Sequence, residues 1–479
     1  HPLTQAVAYD TQLRERRGKI HAQVASVVEE LFGEKLDEQA ALLASHWAEA
    51  DEPGTAVRWP RRAADWAGLN DAAEAHRHWE RVRDLVSEIP ENPEILELGA
   101  RACSQILMLG WRIGESEEDA AANFERGKAL AERSGSIATL AELNGNYAAI
   151  RGLNLGYVPD YLAHADEATR LADQTNDAAL QCAERAYRMF ANIFAGNHPE
   201  VLALTDELAG RIPDDPNFGV EFTGFSPLLG IPCARGWSLL SMGRFDEALE
   251  GGEEMLRATA AHGFPEMEVW ARVFMAWVGE INGDNDLLRS HSHAALDAAE
   301  KLGGGFDRLM AYSAIGAAHM VDGELDAAIE ALENSLRIAA ETRSGGCWTP
   351  LTLGFLAEAH LRQGSIAPAL ERAQEAVSFA SAHALRLFPR AWLALARAQI
   401  RSDLTAEALE TLKEAQQVID DTSSAGYQPR LWEYRAELAQ RQGDADAHAH
   451  AMREALRLYR ELGATGHTER LTQSLNETS

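Results

Sequence analysis

The sequence predicts an all-α fold, a right-handed superhelical solenoid of about ten helix pairs that repeats roughly every 40 residues. Three observations predict it. First, a turn residue recurs at Gly156, Gly196, Gly243, Gly283, Gly323, Gly364, Asp403 and Gly443, with successive spacings of 40, 47, 40, 40, 41, 39 and 40. Second, small residues stand at fixed offsets from that turn. Five positions after it come Ala248, Ala328, Ala369 and Ala408; seven before it come Gly236, Ala276, Gly316, Ala357, Ala396 and Ala436. Two antiparallel helices approach most closely at such places, and a larger side chain would hold them apart. Third, a further break follows half a period or slightly more after the turn, at Gly263, Gly303, Gly345, Gly426 and Gly463. Glycine suits the left-handed residue that ends a helix. Each unit therefore reads as helix, tight turn, longer helix, break.

The elements follow in order along the chain. Residues 1–50 read as a helical junction, 51–219 as irregular helix pairs, and 220–479 as the regular array with a closing helix. In the irregular part, turns are expected at Asp51-Glu-Pro53, Leu69-Asn70 and Ile113-Gly114. The run Ile89-Pro-Glu-Asn-Pro93 reads as a helix stop and restart. Farther on, the first helix of a unit carries apolar residues at helical spacing, as in Ile315, Ala318 and His319 or Trp392, Leu395 and Ala396. Residues 213–230, with Phe218, Phe222 and Phe225, account for the 47-residue interval. They read either as a packed connector or as a loop folded over the groove. Residues 344–350 form a shorter break.

Composition narrows the function. The chain of 479 residues is 46% hydrophobic and 25% charged, which suits a folded protein. Its formal charge of −30 argues against nucleic acid or an anionic membrane as the main partner, since both need a basic face. No apolar run approaches the roughly 20 residues of a membrane span. Cys103, Cys182, Cys233 and Cys347 lie far apart without a C-x-x-C, as in a reduced, cytoplasmic compartment. The chain opens at His1 in helical-looking sequence without methionine, so it reads as a piece of a longer protein.

The unit resembles the tetratricopeptide repeat in a longer form of about 40 residues. Gly243-Arg-Phe-Asp-Glu-Ala248, Gly323-Glu-Leu-Asp-Ala-Ala328 and Gly364-Ser-Ile-Ala-Pro-Ala369 carry the likeness. Leu288 and His448 depart from it by replacing the alanine after the turn, and the proline that closes the second helix is mostly absent. The ends resemble a narrower group. His1-Pro-Leu-Thr-Gln-Ala-Val-Ala-Tyr9, Leu13-Arg-Glu-Arg-Arg17 and His21 look like the passage from the ATPase module into the repeats of bacterial multidomain signalling (STAND-type) ATPases, above all those linked to adenylate/guanylate cyclase domains. His46-Trp47-Ala48-Glu49-Ala50, Ala56-Val57, Ala72-Ala73-Glu74-Ala75 and Trp79 resemble the helices after that junction, and Tyr459-Arg-Glu-Leu-Gly-Ala-Thr-Gly-His467 the closing helix. The resemblance implies a regulatory arm whose partner in cis is an ATPase or cyclase module upstream of His1. The phosphate-cradling G-x-x-x-x-G-K-[ST] is absent from these residues. Arg14, Arg16, Arg17 and Lys19 read as a docking cluster for that module or as a solvated helix face.

No catalytic, cofactor or metal residues are expected. His291-Ser-His293 and His448-Ala-His450 place histidines two apart, which do not share a helix face. Glu74 and His78, four apart, read as a helix-surface pair. Asp214, Asp215 and Glu221, near the Phe-rich insert, are what a helical-repeat enzyme would have to use. In tetratricopeptide-like arrays the concave groove is lined by first-helix positions 13, 10, 6, 3 and 2 before the turn. Here those positions hold Trp237, then Trp270, Trp277 and Glu280, then Glu358 and Arg362, then Arg390, Arg397 and Arg401, then Arg430, Glu433 and Glu437. Arginine forks suit carboxylates or phosphates, and tryptophans suit apolar anchors of a peptide. The expected ligand is therefore a protein or peptide, or a small-molecule effector. In the alternative reading the tryptophans fill spaces between repeats and the arginines pair with neighbouring glutamates.

Overall fold

Left-handed residues set the rhythm of the chain. In the computed structural model, which describes residues 14–50, 57–69 and 71–477, the seven turn glycines have φ between +76° and +87°, and Asp403 has φ +58°. The flanking alanines, Ala248, Ala328, Ala369 and Ala408, are fully buried. A Cβ at Gly236 would lie 2.7 Å from the Phe274 ring, and one at Gly316 would lie 2.6 Å from Leu332. The two helices of a pair therefore meet at Gly316, whereas Gly236 makes room for the first helix of the next unit. Leu288 is accommodated because its backbone packs on Gly279, where a Cβ would come within 2.6 Å.

The described residues hold 24 α-helices. They are α1 (Arg14–Phe32), α2 (Ala40–Glu49), α3 (Arg58–Ala67), α4 (Ala72–Val86), α5 (Pro93–Ile113), α6 (Glu117–Ser134), α7 (Ile137–Ala149) and α8 (Val158–Ala172). Next come α9 (Ala178–Ala195), α10 (His198–Ala209), the single turn α11 (Val220–Thr223), α12 (Pro227–Ser241), α13 (Phe245–His262), α14 (Pro265–Asn282), α15 (Asn285–Leu302) and α16 (Gly305–Asp322). The last are α17 (Leu325–Thr342), α18 (Thr349–Gln363), α19 (Ile366–His383), α20 (Arg390–Arg401), α21 (Thr405–Asp421), α22 (Gln428–Gln442), α23 (Ala445–Glu461) and α24 (Thr465–Glu477). The fold is an all-α helical-repeat solenoid. The expected turns at residues 51–53 and Asn70 lie outside the described residues, as do residues 1–13 and the side chain of Arg14.

The chain divides into two compact units. The first, residues 1–147 and 170–175, is built on three tryptophans. Trp47, Trp59 and Trp79 are buried with Leu43, Val82 and Leu109. Asn92 caps α5 by accepting the Ile95 N–H, with Pro93 in the first turn, so the stop and restart fall where expected. Gly114 ends that helix at φ +80°. Glu74 and His78 approach at 3.6 Å on α4, the surface pair expected.

The second unit, residues 148–169 and 176–479, winds so that tight turns meet breaks several repeats farther along the chain. A Cβ on Gly346 would lie 2.5 Å from the Asn154 carbonyl oxygen. The Arg386 N–H donates to Phe194 O at 2.9 Å. A Cβ on Gly426 would lie 2.8 Å from Leu240 O, and one on Gly466 would collide with Gly283 O. The contact points 346, 386, 426 and 466 are one period apart, and each meets the next tight turn along the chain. His198 bridges the same windings, with its ring nitrogens 3.3 Å from Ser238 Oγ and 3.4 Å from Ser424 Oγ.

Two expected breaks are corrected by this geometry. α21 ends through Ser423 at φ +56°, and Gly426 lies in a short 3-10 turn (Ala425–Tyr427). Its missing side chain serves the close approach to Leu240. α17 likewise ends through Arg343 at φ +49°, two residues before Gly345. The insert at 213–230 is a packed connector. Thr223, Phe225 and Ser226 are buried, and Tyr187 Oη donates to Thr223 O at 3.3 Å.

Candidate functional site

The inner face of the second unit has two different parts. Toward its N-terminal side the interior is filled by aromatic rings. Trp270 contacts Phe190 and Phe306 with ring centres 5.9 and 6.0 Å apart, and Trp237 contacts Phe274, Trp348 and Phe388 at 5.3 to 6.0 Å. The Trp270 indole N–H donates to Asp307 at 3.0 Å. Trp277 stacks on Phe355 at 4.9 Å. All three tryptophans are buried, so they build the wall and do not offer an exposed aromatic surface. The void left beside Trp237 and Trp270 is only about 40 Å³.

Toward the C-terminal side the interior opens into a cavity of about 740 Å³. Glu280 of α14, Glu358 and Arg362 of α18, Arg390 and Arg397 of α20, and Arg430 of α22 all line it. These residues come from four separate helices and meet because the first helices stack. Arg401 stands beside them, 3.9 Å from Glu437. Phe355, Met320, Ala317 and Ala436 give the cavity an apolar floor.

The charges pair off in three clusters, centred on Glu280, on Glu358 with Glu437, and on Glu433. Glu280 receives Arg390 Nη2 at 2.5 Å and Arg430 Nη1 at 3.0 Å. Glu358 binds Arg397 and, at 3.1 Å, Arg362. Arg397 also donates to Glu437 at 3.1 Å. Glu433 accepts from Tyr459 Oη at 2.6 Å and Arg470 Nη2 at 2.7 Å. Arg390 lies 3.9 Å over the Phe355 ring, a cation–π placement. Burial pushes the Glu280 carboxyl up, but Arg390 and then Arg430 outweigh it and hold it at about 2. Burial also opposes the charge on Arg430, yet Glu280 keeps that guanidinium well above its usual value. His467 is buried with its ring nitrogen 3.2 Å from Glu280 O, and desolvation with Arg430 and Arg470 nearby lowers it to about 4.

Sequence reasoning left out Tyr434, Arg470 and His467 as lining residues. A signal for Arg470 existed: Arg390, Arg430 and Arg470 are spaced by 40. The position count is anchored on turn residues, the last of which is Gly443, so it stopped one unit early. Tyr434 and Phe355 each fall nine before a turn, an offset the groove positions omit. Asp214, Asp215 and Glu221 lie on the connector, away from this cavity's lining. Among the described residues no group of three or more His, Cys, Asp or Glu is placed to hold a metal ion.

This arrangement of stacked helix pairs around a charged inner cavity defines a helical-repeat solenoid protein. More particularly, residues 307–382, from α16 into α19, match the family model of the tetratricopeptide repeat, which makes that stretch a tetratricopeptide-repeat region. Among solved structures, the chain is similar to a Rap protein complexed with Competence and Sporulation Factor, at 11% identity and a TM-score of 0.50, covering 89% of this chain and 99% of that one. It is also similar to Cut9 of the APC/C hetero-tetramer Cut9-Hcn1, at 13% identity and TM-score 0.46, covering 95% and 93% of the two chains. Human IFIT1, a dimer with m7Gppp-AAAA, matches at 16% identity and TM-score 0.45, covering 93% and 91%. No curated protein matches the sequence. No helix among the described residues is long and apolar enough to cross a membrane.

Proposed function

We propose that this chain is a non-catalytic interaction and sensor module whose charged cavity receives a protein, peptide or small-molecule effector. The observation that carries the reading is the cavity itself. It is built jointly by first helices of successive units, and its charges are held in fixed geometry by one another. A ligand there touches several repeats at once, so its binding energy acts on how those repeats stack. The resemblance of the chain's ends to signalling ATPases extends the reading. The module works in the cytoplasm and regulates an ATPase or cyclase in cis, with neither nucleic acid nor membrane as partner. A passive adaptor with the same cavity is the second reading. Small-angle scattering of the chain, together with the nucleotide-turnover rate of the full-length protein, separates the two. The sensor reading expects ligand to change both. A ligand that binds and changes neither leaves the adaptor.

A further inference from the structure

The ligand's chemistry is legible in the donors and acceptors that face the cavity. Each lining glutamate is already engaged: Glu280, Glu358 and Glu433 each receive two donors, and Glu437 accepts from Arg397 with Arg401 3.9 Å away. The arginines are not saturated. A guanidinium carries five N–H donors, whereas among the described residues Arg430 is paired with Glu280 and Arg470 with Glu433, one carboxylate each. The cavity therefore offers spare donors and few spare acceptors, and its lining counts five arginines against four glutamates.

Position adds a second constraint. Arg390, Arg430 and Arg470 occupy the same place in three consecutive units, one period from each to the next, and all three line the cavity. Stacked helix axes lie about 8–10 Å apart. An extended peptide advances about 3.3 Å per residue, so three residues span one step of this ladder. Resting on the function proposed above, we infer that the cavity takes an extended acidic peptide with a carboxylate at every third residue, read by Arg390, Arg430 and Arg470. The apolar floor of Met320, Phe355 and Ala436 receives the residues between.

The chain's own charge supplies a control. At −30, non-specific attraction favours a basic peptide, so a preference for acid has to come from the local arginines. The experiment is calorimetric titration of the intact chain with end-blocked heptapeptides. They are Glu-Ser-Ser-Glu-Ser-Ser-Glu, a clustered isomer with three consecutive Glu followed by four Ser, and the Gln and Lys counterparts of the spaced peptide. A neutral peptide with a free C-terminus separates capture of a terminal carboxylate from capture of side chains. The spaced acidic peptide is expected to bind one-to-one, roughly tenfold tighter than its clustered isomer, and not to be matched by Gln or Lys. Arg470→Gln, whose side chain is 49% exposed, should lower that affinity roughly tenfold with circular dichroism unchanged. Arg457→Gln on α23, outside the lining, should not. Equal binding of the two acidic isomers, tighter binding of the Lys or free-C-terminus peptide, or no effect of Arg470→Gln overturns the ladder. If the acidic peptides fail, a degenerate heptapeptide pool decides the rest. Capture of other sequences at the cavity leaves the module's function standing, and capture of none removes both.

Discussion

Glu280 and Glu115 show how opposite environments give opposite pH responses. Glu280 is held at about 2 against an ordinary 4.5, so it contributes stability that is complete above the ordinary value and lost as pH falls from 4.5 toward 2. Glu280→Gln leaves Arg390 and Arg430 buried without their counter-ion. It should cost about 3 to 5 kcal/mol at neutral pH, read as a lower urea midpoint. Glu115, in the first unit, is the reverse. Burial pushes its carboxyl up to about 7, against the Asn123 amide that donates to it at 2.7 Å. The folded state keeps that proton while the unfolded chain loses it above 4.5, so stability falls as pH rises from 4.5 to 7. Glu115→Gln retains the acceptor for Asn123 and should stabilise the first unit much more at pH 7.5 than at pH 5. Hydrogen exchange of α5 and α6 at the two pH values is the check, and equal protection at both would contradict it.

Among the elements, the turn glycines and the ladder glycines do different work. Gly364 has φ +87° with open space around its Cβ position, so Gly364→Ala strains one turn and should cost about 1 kcal/mol without changing dimensions. Gly466 packs against Gly283. Gly466→Ala should push α24 off the C-terminus of α14 and raise the radius of gyration, while helicity is kept. Small-angle scattering of the two variants side by side reads the difference, and identical profiles would mean the windings do not lean on this contact. The sequence made the first kind of glycine plain, because local turns recur at a fixed interval. The second kind hid in the same interval: Gly346, Gly426 and Gly466 also follow the period, but their partners lie several repeats away. Only the number of units per winding reveals which turn meets which break.

For the second unit as a whole, the period and the first-helix positions were enough to bring Glu280, Glu358, Arg362, Arg390, Arg397 and Arg430 to one cavity. They were not enough to say where the inner face is open. Counting positions treats every unit alike, whereas side-chain bulk decides whether the interior fills. Trp237, Trp270, Phe225, Phe306, Trp348 and Phe388 close it on one side. Smaller or charged side chains, with α24 contributing Arg470 and His467, leave it hollow on the other. The proposed binding is thereby confined to the C-terminal part of the array, whose interior is hollow. The most direct measurement of that claim is hydrogen exchange of the whole chain with and without a saturating degenerate heptapeptide pool. Protection should rise in α14, α18, α20, α22 and α24, with the second helices α15, α17, α19 and α21 unchanged. Protection confined to those second helices, or to the aromatic side of the interior, would contradict the account.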